Sequence, residues 1–194
     1  MYIVHREADQ FRKHVRGHLQ SEHVDEIQSW LDDQDLQWLQ SKTGGSNKTS
    51  KHRSSKHAWV RDDEFVQFVA SQFHSANAKE TEWQFDLGQV EEVQYTKYRT
   101  GDYFSWHSDS YTTNDFPPSI RKLSMTLMLS DSSEYEGGDL EFQHVVNGEF
   151  HTQTVKLERG DILIFPSMVS HRVTEITSGN RNVLVAWAWG PPYK

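Results

Sequence analysis

The chain has 194 residues, with 28 acidic against 20 Lys and Arg for a net charge of −8, and no cysteine. That length supports one domain with a sizeable apolar core, and the missing cysteine excludes a disulfide framework, a thiolate metal site and a cysteine nucleophile. The acidic balance argues against a general nucleic-acid binder, whose phosphate contacts need a basic surface, and no stretch is apolar enough for a membrane span or leader peptide, so a cytoplasmic protein is expected.

Residues 1–20 show no clear periodicity. Val24, Ile27 and Leu31 then fall at helical spacing, and Leu36, Trp38 and Leu39 suggest a further helical piece. His23-Val24-Asp25 has the form His-x-Asp, but Asp at the start of a helix most simply favours the positive end of the dipole, so this pair is set aside. Residues 41–56 are rich in Ser, Gly and basic side chains, including Lys48, Lys51, Arg53 and Lys56. They read as a solvated loop or hairpin, with folding over a bound substrate as the sharper alternative. Residues 57–60 look like a short strand. Asp62-Asp63-Glu64 then leads into Phe65, Val66, Val69 and Phe73, an apolar stripe that predicts a helix ending near Asn77 and packing on a sheet.

From residue 81 the pattern changes to period two. Strands are expected at 83–87, 90–98, 103–107, 123–129, 140–146, 150–157, 162–165, 171–176 and 183–189, most of them separated by Gly or Pro turns. Asn147-Gly148 between two such runs is a hairpin signal, because it readily takes the positive φ values of a type I′ turn. The reading is an α+β, mainly β chain: one domain over 1–194, with helical support and a basic loop in 1–80 and a sandwich or jelly roll in 81–192.

Within this pattern His107 and Asp109 stand out. Alternate residues of a strand share a face, so at the end of a strand they aim a nitrogen and an oxygen at one point. His171, after a turn, an apolar run and a second turn, is the candidate third ligand. Two histidines and a carboxylate make a facial triad that leaves adjacent positions open and suits non-haem Fe(II). With 11 His in the chain, His-x-Asp alone is weak evidence, and strand-end histidines with a turn Asp are the bland alternative. Trp106 faces away from the site by alternation. The loop at 110–120, with Tyr111 and Phe116, either lines a substrate entrance or is a plain connection. His144 and His151 flank the hairpin turn and are not ligands if that hairpin lies away from the site. Gly137-Gly138 and Asp161 read as turn formers.

The wider set of motifs runs Tyr98-x-x-Gly101-x-x-Phe104-x-x-His107-x-Asp109, then Leu123-Ser124-Met125-Thr126-Leu127-Met128-Leu129-Ser130, then Tyr135-Glu136-Gly137-Gly138-Asp139-Leu140. It continues with Gly160-Asp161, Phe165-Pro166-Ser167, His171-Arg172-Val173, Arg181 and Trp187. In this order and spacing, residues 83–192 resemble the Fe(II)- and 2-oxoglutarate-dependent dioxygenases, and within them the prolyl 4-hydroxylase-like group that includes PKHD-type hydroxylases. The stretch from Arg53-Ser54 to Trp59 resembles the strand that leads into the barrel in this group.

The resemblance implies a double-stranded β-helix (jelly roll) in which His107, Asp109 and His171 hold Fe(II). Arg181 would bind the distal carboxylate of the cosubstrate 2-oxoglutarate, Tyr98 would donate its hydroxyl to that carboxylate, and Trp187 would belong to the same cofactor pocket. A guanidinium suits that role, since it forms two parallel charge-assisted hydrogen bonds to a carboxylate and stays charged when buried. The implied reaction is hydroxylation of an unactivated C–H bond with O2, releasing succinate and CO2, with ascorbate as an auxiliary reductant. A prolyl residue of a peptide or protein is the leading substrate. A small-molecule or amino-acid hydroxylase, and a non-catalytic jelly-roll binding module, are the alternatives. A nucleic-acid demethylase resembling AlkB is disfavoured, because that family carries a further arginine six positions after the oxoglutarate-binding one, where Trp187 stands here. PKHD-type proteins continue into a helical C-terminal extension after the barrel, which this sequence lacks beyond 190–194, so the subgroup stays open.

Overall fold

Two antiparallel sheets and two helices make up the computed structural model, which describes residues 7–8, 15–41, 52–77, 83–114 and 116–193. Helix α1 (Ser21–Asp32) buries Val24, Ile27 and Leu31, and their three- and four-residue spacing puts them on one face. Helix α2 (Asp63–Ala76) buries Phe65, Val69, Phe73 and Ala76. It starts where the Asp62 carboxylate accepts the Phe65 N–H at 2.8 Å, and Asp63 and Glu64 sit in the positive first turn.

The larger sheet runs, in spatial order, β1 (Glu7–Ala8), β2 (Val15–His18), β12 (Asp161–Pro166), β8 (Ile120–Met128), β14 (Ile176–Gly190), β6 (Val93–Arg99), β5 (Lys56–Val60) and β3 (Leu39–Gln40). A ninth strand, β9 (Tyr135–Gly137), pairs with the start of β14. The smaller sheet runs β11 (Glu149–Val155), β10 (Leu140–Val146), β13 (His171–Val173), β7 (Tyr103–His107) and β4 (Arg53–Ser54). Mainly antiparallel sheets facing each other form the double-stranded β-helix that the resemblance implies.

Strand alternation divides the core in two. On β8, β12 and β14, residues such as Met125, Leu127, Ile164, Leu184 and Ala186 face α1 and α2. Their alternate neighbours Met128, Leu163, Phe165 and Val183 face the smaller sheet, where they meet Tyr98, Leu140, Phe142 and Val173. A pocket lined by Tyr98, Phe165, Val173 and Val183 opens on this second, interior face.

Three segments depart from the sequence reading. Residues 35–38 are irregular and Leu39–Gln40 joins the sheet as β3, so no second helical piece follows α1. Trp38 instead packs edge-on against Tyr95 at 5.2 Å, with the Lys97 ammonium 4.6 Å from its ring, and these contacts outweigh the local spacing. Residues 83–87 form no strand. The Asn77 side chain bonds both the N–H and the C=O of Phe85, at 2.9 and 2.8 Å, so this segment meets part of its backbone demand without a ladder while Trp83, Phe85 and Leu87 pack on the core. Asp161 is more than a turn former: it is buried, accepts Arg16 Nε at 3.1 Å and lies 2.9 Å from His18 Nδ1, tying β2 to β12. The hairpin at Asn147-Gly148 forms as expected, with φ of 52° and 84°. Most of the basic loop expected at 41–56 lies outside the described residues.

Candidate metal centre

β7 ends on His107 and β13 begins on His171, and the two are direct partners in the ladder between those strands. Their ring centroids are therefore only 4.1 Å apart. Asp109, two residues beyond His107, is anchored by its own N–H, which donates to the Ser167 carbonyl at 2.9 Å. Its Oδ1 lies 3.5 Å from His107 Nε2 and its Oδ2 3.6 Å from His171 Nε2. One atom from each of the three residues falls within 4.8 Å of the others, the only such grouping of metal-binding side chains among the described residues.

The orientation of the histidines is set by their backbones. His107 Nδ1 lies 2.8 Å from the Ser105 carbonyl and His171 Nδ1 lies 2.9 Å from the Val169 carbonyl. A carbonyl only accepts, so each Nδ1 carries a proton and Nε2 is the nitrogen turned to the common centre, the one with which a neutral ring binds a metal. Aromatic rings hold the imidazoles from outside: Phe104 stacks on His107 at 3.5 Å and Phe165 meets His171 edge-on at 4.8 Å.

Protonation follows from the same surroundings. Burial acts to raise the Asp109 carboxyl, but His171, His107 and the Trp187 N–H together hold it well below the usual carboxylate range. Burial pushes the His171 imidazole below its ordinary value, against the opposing pull of Asp109. An ionised carboxylate and neutral imidazole are the forms that bind a metal, and this donor set with adjacent positions open suits Fe(II).

Arg181, Tyr98 and Trp187 line one pocket with the three ligands, together with Thr126, Val183 and Val185. Arg181 is only 2% exposed, faces Tyr98 across the β14–β6 ladder, and holds its guanidinium 5.5 Å from the Tyr98 ring. Its Nε has no hydrogen-bond partner and no carboxylate among the described residues pairs with it. A charge so placed calls for an anion from outside the chain. Trp187 is buried beneath the Arg121 guanidinium, 3.9 Å from its ring centroid, and its N–H faces Asp109 closely enough to favour the carboxylate's charge without a hydrogen bond of good geometry. A larger cavity of about 310 Å³ lies beyond Arg181, between β9, β10 and β11, and holds none of the three ligands.

The remaining expectations resolve plainly. His144 and His151 face each other across the β10–β11 hairpin, 5.9 Å apart, and do not join the metal grouping. Trp106 points elsewhere, beneath the Arg172 guanidinium at 4.8 Å. Sequence reasoning passed over three residues. Ser124 Oγ donates to Asp109 Oδ2 at 2.7 Å and lies 2.9 Å from Ser167 Oγ, while Arg53 lines the pocket with its guanidinium 4.7 Å from the Phe104 ring. Nothing in the sequence of β8 singles Ser124 out, because Arg121, Lys122 and Thr126 are polar side chains of the same strand.

Residues 93–189, half of the chain, match the model of the 2OG-Fe(II) oxygenase superfamily. The chain belongs to that superfamily. Among curated relatives of this 2OG-Fe(II) oxygenase, a PKHD-type hydroxylase of Hyphomonas neptunium is 42% identical over 88 residues, 45% of this chain but 38% of the relative. The chain thus spans well under two thirds of the curated relatives it matches. Two solved structures share its fold. A Pseudomonas putida prolyl-4-hydroxylase has TM-score 0.65 at 18% identity, covering 93% of this chain and 94% of that one. A prolyl hydroxylase from Trichoplax adhaerens has TM-score 0.62 at 15% identity, covering 87% and 77%.

Proposed function

We propose that this chain catalyses Fe(II)- and 2-oxoglutarate-dependent hydroxylation of a C–H bond, with a prolyl residue of a peptide or protein as substrate. The observation that carries the reading is the pairing, in one pocket, of a two-histidine, one-carboxylate grouping with a buried guanidinium that has no counter-ion among the described residues. His107 and His171 hold iron through Nε2 and Asp109 through a carboxylate oxygen. Arg181 takes the distal carboxylate of 2-oxoglutarate in a two-pronged hydrogen bond, and the Tyr98 hydroxyl donates to the same group. Trp187 closes the pocket wall between this anion site and the ligands. When bound, iron and 2-oxoglutarate supply the oxidising power, consuming O2 and releasing succinate and CO2. The chain's own work is orientation and exclusion of water: Phe104, Phe142 and Phe165 surround the histidines with apolar surface.

The substrate class rests on relatives. The Trichoplax adhaerens neighbour is described as a complex with a peptide fragment of hypoxia inducible factor, and the curated relatives are named hydroxylases. In this chain the loop that follows Asp109 in sequence exposes Tyr111 and Phe116, at 56% and 99%, which suits contact with an extended peptide.

The test uses purified protein with Fe(II), ascorbate and labelled 2-oxoglutarate, in which uncoupled CO2 release is expected even without substrate. Asp109→Ala should bring release to background. Arg181→Ala should raise the 2-oxoglutarate requirement by roughly tenfold or more, the loss of a charge-assisted pair, and leave the iron requirement unchanged. Ordinary turnover in Asp109→Ala, or an equal loss of both requirements in Arg181→Ala, overturns the assignment. A proline-containing peptide library read by mass spectrometry for the gain of one oxygen atom then tests the substrate class.

A further inference from the structure

The Asp109 carboxylate has two oxygens, and the structure treats them differently. Each faces a histidine, Oδ1 at 3.5 Å from His107 Nε2 and Oδ2 at 3.6 Å from His171 Nε2, but Oδ2 also accepts the Ser124 hydroxyl at 2.7 Å. Ser124 is 1% exposed, and its Oγ lies 2.9 Å from that of Ser167, which is fully buried. Ser167 completes a clamp of backbone bonds: its carbonyl accepts the Asp109 N–H and its N–H donates to the Lys122 carbonyl, both at 2.9 Å. Three segments, the turn after β7, the end of β12 and the middle of β8, are thereby locked around one side chain.

From this geometry we infer that Ser124, buttressed by Ser167, is a positioning residue that reserves Oδ2 of Asp109 for a hydrogen bond and so makes Asp109 a single-oxygen ligand. The inference rests on the metal-centre reading above. A hydroxyl hydrogen bond to a carboxylate occupies lone-pair density on the oxygen that receives it and fixes the plane of the group. Without it, the carboxylate is free to rotate and present both oxygens to the metal, and a chelating carboxylate takes one of the positions that a facial triad leaves open. Ser124 reaches the metal only through Asp109, and it is well placed to do so because strand alternation puts residue 124 on the interior face of β8, opposite Trp187 of β14.

The experiment is a Co(II) titration of the purified chain, followed by d–d absorption and by dissociation constant, for the unaltered chain, Ser124→Ala, Ser124→Thr and Ser167→Ala. Ser124→Ala should bind Co(II) roughly tenfold to a hundredfold more weakly, the usual cost of removing a hydrogen bond behind a metal ligand, and its d–d band should change. Ser124→Thr, which keeps the hydroxyl, should restore both. Ser167→Ala should weaken binding in the same direction by a smaller factor, and it preserves the test if Ser124→Ala does not fold. Co(II) affinity and spectrum in Ser124→Ala matching the unaltered chain overturn the positioning role alone. Failure of the unaltered chain to bind Co(II) overturns the metal centre itself.

Discussion

At the scale of single residues, hydrogen bonding and protonation are linked around His57. Arg53 Nε donates to Ser55 Oγ at 3.0 Å, Ser55 Oγ donates to Ser41 Oγ at 2.8 Å, and Ser41 Oγ lies 2.8 Å from His57 Nδ1. A guanidinium can only donate, and when the Ser41 hydroxyl passes its proton on towards His57 Nδ1 every donor in this relay has an acceptor, an arrangement that requires the neutral imidazole. Burial, with Arg53 nearby, accordingly lowers the His57 pKa from 6.5 to about 4. A depressed histidine contributes stability that is complete above the unfolded value of 6.5 and is lost as pH falls from there towards 4, because the unfolded chain takes up the proton first. After allowance for partial exposure the loss is on the order of 1–2 kcal/mol. Urea unfolding at both ends of this window should show it, and His57→Asn, whose Oδ1 stands in for the accepting nitrogen, should remove that part of the pH dependence.

At the scale of elements, alternation made much of the site legible in advance. His107 and Asp109 share a face because they sit two apart, and Arg181 and Trp187 share one because they sit six apart on one strand, β14. Which residue stands across the ladder from which depends on pairing between distant strands, and this hid Ser124 and Arg53. The same dependence on distant contacts explains Trp38 and Phe85, whose local patterns suggested elements that tertiary contacts replaced. The turn between β9 and β10 bears on Arg181. Gly138 has φ of +64°, and a Cβ there would lie 2.3 Å from Ile176 Cδ1 and 2.9 Å from Arg181 Cδ. Gly138→Ala should therefore cost on the order of 1–3 kcal/mol and raise the 2-oxoglutarate requirement while leaving metal affinity intact. Gly148→Ala is the control: its φ is +84° but nothing lies within 4 Å, so it should lower stability through backbone strain alone and leave cosubstrate binding unchanged.

At the scale of the whole molecule, the period-two pattern after residue 81 announced two facing sheets, and the helical spacings in the first half announced the support beneath one of them. The N-terminal residues offered no periodicity because β1 and β2 are short additions to the sheet edge, β2 being joined to β12 by a short ladder and by the pairing of Arg16 and His18 with the buried Asp161. That contact joins residues more than a hundred positions apart, and no local window contains it.

The buried guanidinium of Arg181 has a thermodynamic corollary. An interior cation that no carboxylate among the described residues neutralises penalises the native barrel, and any small diacid able to slip alongside relieves that penalty and acts as a folding ligand. Melting temperature should accordingly climb when 2-oxoglutarate is added in the presence of a strong chelator, with no iron and no turnover. Arg181→Met, which keeps the bulk and discards the charge, should start from a higher melting temperature than the unaltered chain and be indifferent to the diacid.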